Sequence, residues 1–162
     1  MPRTLHLTIE AAGCSTVCAH CWAQGGPYKN MSIEDVAFVL EEGRAASVTA
    51  GADFAPCPMH ELLARPDALE MLRLCAQHMS VSWKSQFEPL TTTGVALGAR
   101  ADWKELLAGV KSLGTSTLWL AFHGLEEVHD RLVGRKGAFK KSCVAVERAR
   151  GGAAMRRERL CQ

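Results

Sequence analysis

The sequence predicts an α/β protein of parallel strands joined by helical crossovers, and three observations carry that expectation. Short runs with the apolar alternation of strands are interleaved with longer runs whose apolar residues recur at helical spacing. The units follow one another at roughly 30 residues, the spacing at which a helix crosses over and returns the next strand parallel to the last. Residues 117–122, TLWLAF, are nearly all apolar, the pattern of a strand covered on both faces. At that spacing about four βα units fit the 162 residues.

Leu5, Leu7 and Ile9 alternate with His6 and Thr8, so a first strand precedes a loop at residues 11–13. Ser32, with Asp35 three places on, is a helix N-cap signal, because hydroxyl and carboxylate can satisfy N–H groups that a first turn leaves unpaired. Ile33, Val36, Ala37 and Leu40 then fall on one helical face. Residues 52–56 form the poorest strand, since Pro56 removes a ladder donor. Pro66-Asp67 opens a second helix, with Leu69, Leu72, Cys75, Ala76 and Met79 as its apolar stripe. Residues 87–93 are rich in β-branched side chains and read as the third strand. Asp102 opens a third helix, striped by Trp103, Leu106, Leu107 and Val110 and stopped by Gly114. A last helix is expected over residues 138–150. Residues 1–150 thus form one expected core domain, and residues 151–162 an expected disordered basic tail.

With 48% hydrophobic and 22% charged residues and a net charge of +2, the composition excludes collagen-like, coiled-coil and disordered classes. No run approaches the ~18 apolar residues of a membrane span, so no membrane partner is expected. The start, MPRTLHLTIEAAG, lacks the apolar centre of a secretory signal, and a cytoplasmic setting is expected. Seven cysteines, an odd number, then point to metal or cluster ligation ahead of disulfides. From Arg131 onward 10 Lys/Arg stand against 2 acids, whereas the preceding residues carry 9 against 15. Phe139 is the lone aromatic of that basic segment, too little for base stacking. The segment therefore reads as a solvated helix face and tail, and nucleic acid is not expected as a partner.

The informative segment follows the first strand: Cys14-Ser-Thr-Val-Cys18-Ala-His-Cys21. Three thiolates within eight residues, in a loop at the C-terminal end of a parallel strand, can converge on one soft metal centre. Such loops are where α/β proteins place their chemistry. Gly13 before the set, and Gly25-Gly26-Pro27 after it, let the backbone wrap closely around an inserted group. Two readings stand side by side. Cys14, Cys18 and Cys21 with His20 supply the four ligands of a zinc site. The three cysteines alone ligate three irons of a [4Fe-4S] cluster and leave the fourth open. Adjacent side chains such as His20 and Cys21 rarely turn to one centre in a tight loop, which favours the cluster.

CSTVCAHC resembles the CxxxCxΦC motif of radical S-adenosylmethionine (SAM) enzymes, with His20 before the third cysteine. The resemblance implies that Cys14, Cys18 and Cys21 hold the cluster and that SAM chelates the unique iron. It implies that the backbone of His20–Trp22 neighbours adenine. Its activity is reductive cleavage of SAM to a 5′-deoxyadenosyl radical that abstracts hydrogen from a substrate. The family's GGEP segment is replaced here by Met59-His60-Glu61-Leu62-Leu63-Ala64-Arg65-Pro66-Asp67, which aligns with GGEPLLHPD and places Glu61 against the SAM amino group. An acid at a helix start is the plainer account of Glu61. Thr91-Thr92-Thr93-Gly94 is similar to the third-strand TNG segment, bringing Thr93 to the cofactor. Phe122-His123-Gly124, then His129-Asp130-Arg131 and Gly134–Phe139, resemble the fourth-strand end and HDxxRGxxGSF stretch of peptide-modifying and cofactor-building members. His123 becomes a ribose or substrate contact, and Arg131 or Arg135 a partner for the SAM carboxylate, against the alternative of exposed helix arginines.

Cys75 and Cys143 lie on helical stripes and are expected as small core residues, Cys57 as a loop thiol, and His6 and His78 as packing or surface residues. The expected function is therefore radical SAM chemistry on a peptide or small molecule, fed by an electron donor such as flavodoxin or ferredoxin. The rivals are a non-catalytic iron–sulfur or zinc-binding module and a partner subunit. Because radical SAM cores run to about six βα units, the resemblance implies a partial, incomplete parallel βα barrel, and the chain is expected to be the N-terminal part of such a core.

Overall fold

A computed structural model describes residues 3–21, 30–58, 61–80 and 90–151. Trp22, Met59, His60, residues 81–89 and the tail from 152 lie outside the described residues, with the expectations placed on them. Strand β1 (Thr4–Ile9) leads through the cysteine loop to helix α1 (Ile33–Thr49), and β2 (Asp53–Pro58) through a 3-10 turn (Leu62–Ala64) to α2 (Ala68–His78). Strand β3 (Leu90–Thr92) is followed by α3 (Val95–Ala99) and α4 (Trp103–Ser112). Strand β4 (Leu118–Leu120) is followed by α5 (Glu126–Leu132) and α6 (Ala138–Gly151). This is the expected α/β alternation in four βα units. Strands pair in parallel, β1 with β2 from Thr4↔Asp53 to Ile9↔Pro58, and β3 with β4 from Leu90↔Leu118 to Thr92↔Leu120. Among the described residues these are two separate two-stranded sheets, and no barrel closes.

Strand β2 is longer than its prolines suggested. Phe54 N–H donates to Ser80 Oγ, and Ser80 N–H donates to Phe54 O at 3.0 Å. Alternate residues of a strand direct their polar groups to the same side. Pro56 and Pro58 share the parity of Phe54, so their missing N–H groups face away from β1 and the parallel ladder loses nothing.

The run at residues 117–122 departs from expectation in the other direction. Its ladder is present, with Leu90 N–H donating to Thr117 O and Ala121 N–H to Thr92 O. Yet Leu118 and Leu120 are only half-buried, and Trp119 between them is 56% exposed. One face of β4 meets the core, while the other meets no layer among the described residues.

Ser32 caps α1 as its spacing predicted, accepting from Asp35 N–H at 3.0 Å. Asp67 and Asp102 do not cap α2 and α4 with their side chains. Each carboxylate instead meets the arginine two residues earlier, Arg65 at 2.7 and 2.6 Å and Arg100 at 2.8 and 2.5 Å. Arg65 is buried, and its Nη1 donates to Ala11 O at 2.6 Å and Met31 O at 2.8 Å. It thereby ties the end of β1 to the entrance of α1. Arg100 repeats the device one unit later, with Nη1 donating to Leu63 O and Arg65 O.

The core gathers Val36 and Leu40 of α1, Phe54 of β2, Leu62 and Leu63, Met71, Leu72 and Cys75 of α2, and Leu106, Leu107 and Val110 of α4. Cys75 is fully buried as expected, whereas Cys143 is only half-buried. Helix α3 was not foreseen. A Cβ at Gly98 would stand 2.0 Å from Lys141 O, so this glycine is what lets α3 lie directly on α6. Among the described residues no helix is long and apolar enough to cross a membrane.

Candidate cysteine-loop site

Parallel strands direct their C-terminal ends to one side, and the sequence-predicted residues sit there. The cysteine loop leaves β1 at a buried turn, where Gly13 N–H donates to Asn30 Oδ1 at 2.9 Å. Within it Thr16, 2% exposed, places its Oγ1 3.0 Å from Cys14 Sγ and 3.4 Å from Cys18 Sγ. Cys21 lies on the adjoining turn, its N–H donating to Cys18 O at 3.0 Å. Among the described residues no group of three or more His, Cys, Asp or Glu side chains is arranged to hold a single metal ion. Burial pushes the Cys14 thiol up, contacts to the Thr16 hydroxyl and amide pull it partly back, and the charges of Glu61 and Cys18 add to the rise.

Glu61 is 3% exposed and does not act as a helix cap. Its Oε1 accepts from Thr92 Oγ1, and its Oε2 accepts from Thr93 N–H at 2.6 Å. One carboxylate therefore joins the end of β2 to the end of β3, close enough to Cys14 to act on its thiol. Thr93, foreseen as a cofactor contact, meets Glu61 through its backbone, and its carbonyl accepts from Ser142 Oγ at 2.7 Å.

Beyond β4 three imidazoles adjoin. The His20 ring stands edge-on to His123 with centroids 4.5 Å apart, and His123 stacks on His129 at 5.7 Å. His123 N–H donates to His129 Nδ1 at 3.2 Å. His129 is 1% exposed and its Nε2 has no partner among the described residues. Burial first, then the neighbouring His20 and His129, hold His123 below its ordinary range; burial does the same to His129, with Asp130 opposing. Phe122 and Phe139 close the cluster.

The two arginines part company. Arg131 is exposed on α5, as a solvated helix residue would be. Arg135 lies in the turn between α5 and α6, and its Nη1 donates to Ser15 O at 2.6 Å. Val17 N–H donates to Val133 O at 3.0 Å and Ala19 N–H to Leu132 O at 2.8 Å, so the end of α5 satisfies its open carbonyls on the cysteine loop. Gly134 stands at φ +64°, where a Cβ would meet Val17 O at 2.6 Å. Asp130 accepts from Gly137 N–H at 2.5 Å and Phe139 N–H at 2.8 Å, fixing the start of α6; these amides hold its carboxyl below the usual range.

Thr16, His129, Asp130 and Gly134 were missed as contributors to the site. Thr16 had a signal in lying two residues from both Cys14 and Cys18, and Gly134 and Gly137 flank Arg135 in turn-like fashion. His129 and Asp130 stood in the stretch that resembles HDxxRGxxGSF, but the burial of His129 depends on β4 and α6 and was not legible there. Away from the site, burial raises the Cys57 thiol, and burial and then Cys57 push Cys75 up to about 12; both suit inert thiols. Compared with protein-family models and with curated protein sequences, the chain matches none.

Proposed function

We propose that the chain is a radical SAM protein whose four βα units form the first part of a parallel βα barrel. One observation carries the reading: the Cys14 and Cys18 thiols share the Thr16 hydroxyl in the loop after β1, with the Glu61 carboxylate near enough to shift Cys14. Chemistry-bearing residues then stand at the C-terminal ends of successive parallel strands, where α/β proteins bind cofactors. Thiols supply the soft donors an iron–sulfur cluster takes, and Cys21 is on the adjoining turn. The Ser15 hydroxyl, buried and without a partner among the described residues, is a donor that bound sulfur would satisfy. His20 turns its ring to His123, which supports three ligands over the four of a zinc site.

In this reading Cys14, Cys18 and Cys21 hold a [4Fe-4S] cluster. When bound, the cluster supplies the electron that cleaves the C5′–S bond of SAM. The protein's own residues orient and enclose. A carboxylate offers about four acceptor positions, and Thr92 and Thr93 use two on Glu61, so Glu61 retains lone pairs for the SAM ammonium. His20 and His123 line the adenosine side, and the resemblance adds Trp22, which lies outside the described residues. Arg135, gripping Ser15 O, secures the loop. The substrate is a peptide or small molecule, and the electron donor a flavodoxin or ferredoxin.

Anaerobic reconstitution tests the reading. The expected result is four-iron absorbance that SAM perturbs and, after reduction, 5′-deoxyadenosine. Replacing Cys14, Cys18 or Cys21 by Ala should abolish stable incorporation, whereas Cys75→Ala should not. Zinc in place of the cluster, or loss of it in Cys75→Ala, overturns the assignment.

A further inference from the structure

Between Cys14 and Cys18 the chain carries two adjacent hydroxyl residues, Ser15 and Thr16. On an open loop both would face water. Here Thr16 is buried, with its Oγ1 between the two sulfurs at 3.0 and 3.4 Å. Ser15 Oγ is buried and has no partner among the described residues. The Ser15 carbonyl accepts from Arg135 Nη1 at 2.6 Å, and the amide that follows the pair, Val17 N–H, donates to Val133 O at 3.0 Å. The backbone of the pair is thus fixed from the α5–α6 turn, while both hydroxyls remain on the buried side of the loop.

A hydroxyl has one proton and two acceptor positions. Between neutral thiols the Thr16 hydroxyl can donate or accept. Between thiolates, which only accept, it must donate to one of them. We propose that Thr16 donates a hydrogen bond to a ligating sulfur of the iron–sulfur centre and so holds its reduction potential up, with Ser15 as a second donor. This rests on the iron–sulfur reading above and adds how that site is regulated electrically. A hydrogen bond to sulfur draws off negative charge, which favours the reduced, more negative cluster over the oxidised one. Removing the donor therefore makes the cluster harder to reduce. Thr16 acts through the sulfur and is a positioning residue.

The test compares the wild type with Thr16→Val, Thr16→Ser and Ser15→Ala after anaerobic reconstitution, reading iron and sulfide content and the midpoint potential at a single pH. Thr16→Val keeps the β-branched shape and loses only the hydroxyl. It should retain iron and sulfide and titrate at a more negative potential than the wild type. Thr16→Ser should return toward the wild type, and Ser15→Ala should shift the same way as Thr16→Val by less. A loaded Thr16→Val protein with an unchanged potential overturns the proposal and leaves the cluster assignment standing. A wild type that takes up no iron and sulfide overturns both. If Thr16→Val fails to load, Thr16→Ala takes its place under the same criterion. Loss of the cluster in both, with retention in Thr16→Ser, assigns the hydroxyl to ligand placement and overturns its electrical role.

Discussion

Glu61 is a buried carboxylate with an oxygen on each of two neighbouring donors, the Thr92 hydroxyl and the Thr93 amide. Removing it strands both, and an unpaired buried donor costs roughly 1–3 kcal/mol. Glu61→Ala should therefore lower the thermal midpoint, and an unchanged midpoint in calorimetry would show that water replaces the carboxylate without loss. Glu61→Gln separates this strut from the proposed ligand role, because the amide keeps the shape and one acceptor but gives up the charge. Loss of a charge-assisted bond to the SAM ammonium, about 1.5–3 kcal/mol, predicts roughly 10- to 150-fold weaker SAM binding with the cluster spectrum intact. Equal affinity in a titration would leave Glu61 as a strut alone. The importance of Glu61 was legible in the sequence from its place before the LLARPD run. Its partners were not, because Thr92 lies 31 residues away and meets it only through the tertiary fold.

The turn between α5 and α6 is where an element does what its sequence did not announce. HDRLVGRKGAF suggested a carboxylate-binding arginine, whereas Arg135 holds the cysteine loop and Asp130 holds the first turn of α6. Arg135→Gln should loosen the loop, seen as faster hydrogen exchange at the Val17 and Ala19 amides than in Arg135→Lys, with α1 amides unchanged. Equal protection in all three proteins would deny the clamp. The histidine cluster between the end of β4 and α5 confers a pH dependence. His129 and His123 are both held below the ordinary histidine range of about 6.5, chiefly by burial, with His20 adding to the effect on His123 and Asp130 opposing that on His129. The unfolded chain then binds more protons than the native one as pH falls through about 6.5, so stability is present above that value and declines below it. The thermal midpoint should fall from pH 7.5 to 5.5, and less steeply in His129→Gln. An identical slope in the variant would place the titration elsewhere.

Across the whole molecule the sequence conveyed the alternation of strands and helices and the parallel pairing, because alternation and crossover length are local properties. It did not convey how the sheet divides. The nearly all-apolar run at residues 117–122 promised two covered faces, but a second face is covered only if another layer lies against it, and that depends on elements far away in sequence. Leu118 and Leu120 turn to the core, and period-two geometry then directs Trp119 outward, 56% exposed. Strand β4 pairs with β3 alone among the described residues. A strand with an unpaired edge and a large exposed side chain is a template for association. Burying the exposed half of an indole contributes on the order of 2–3 kcal/mol on each molecule, and it adds to the backbone hydrogen bonds that an unpaired strand edge can form. The chain alone should therefore sediment as a concentration-dependent mixture. Trp119→Lys, which places a solvated charge on the same face, should shift it to monomer without changing its helical circular dichroism. A wild type that stays monomeric at every concentration would mean that this face is protected within the single chain.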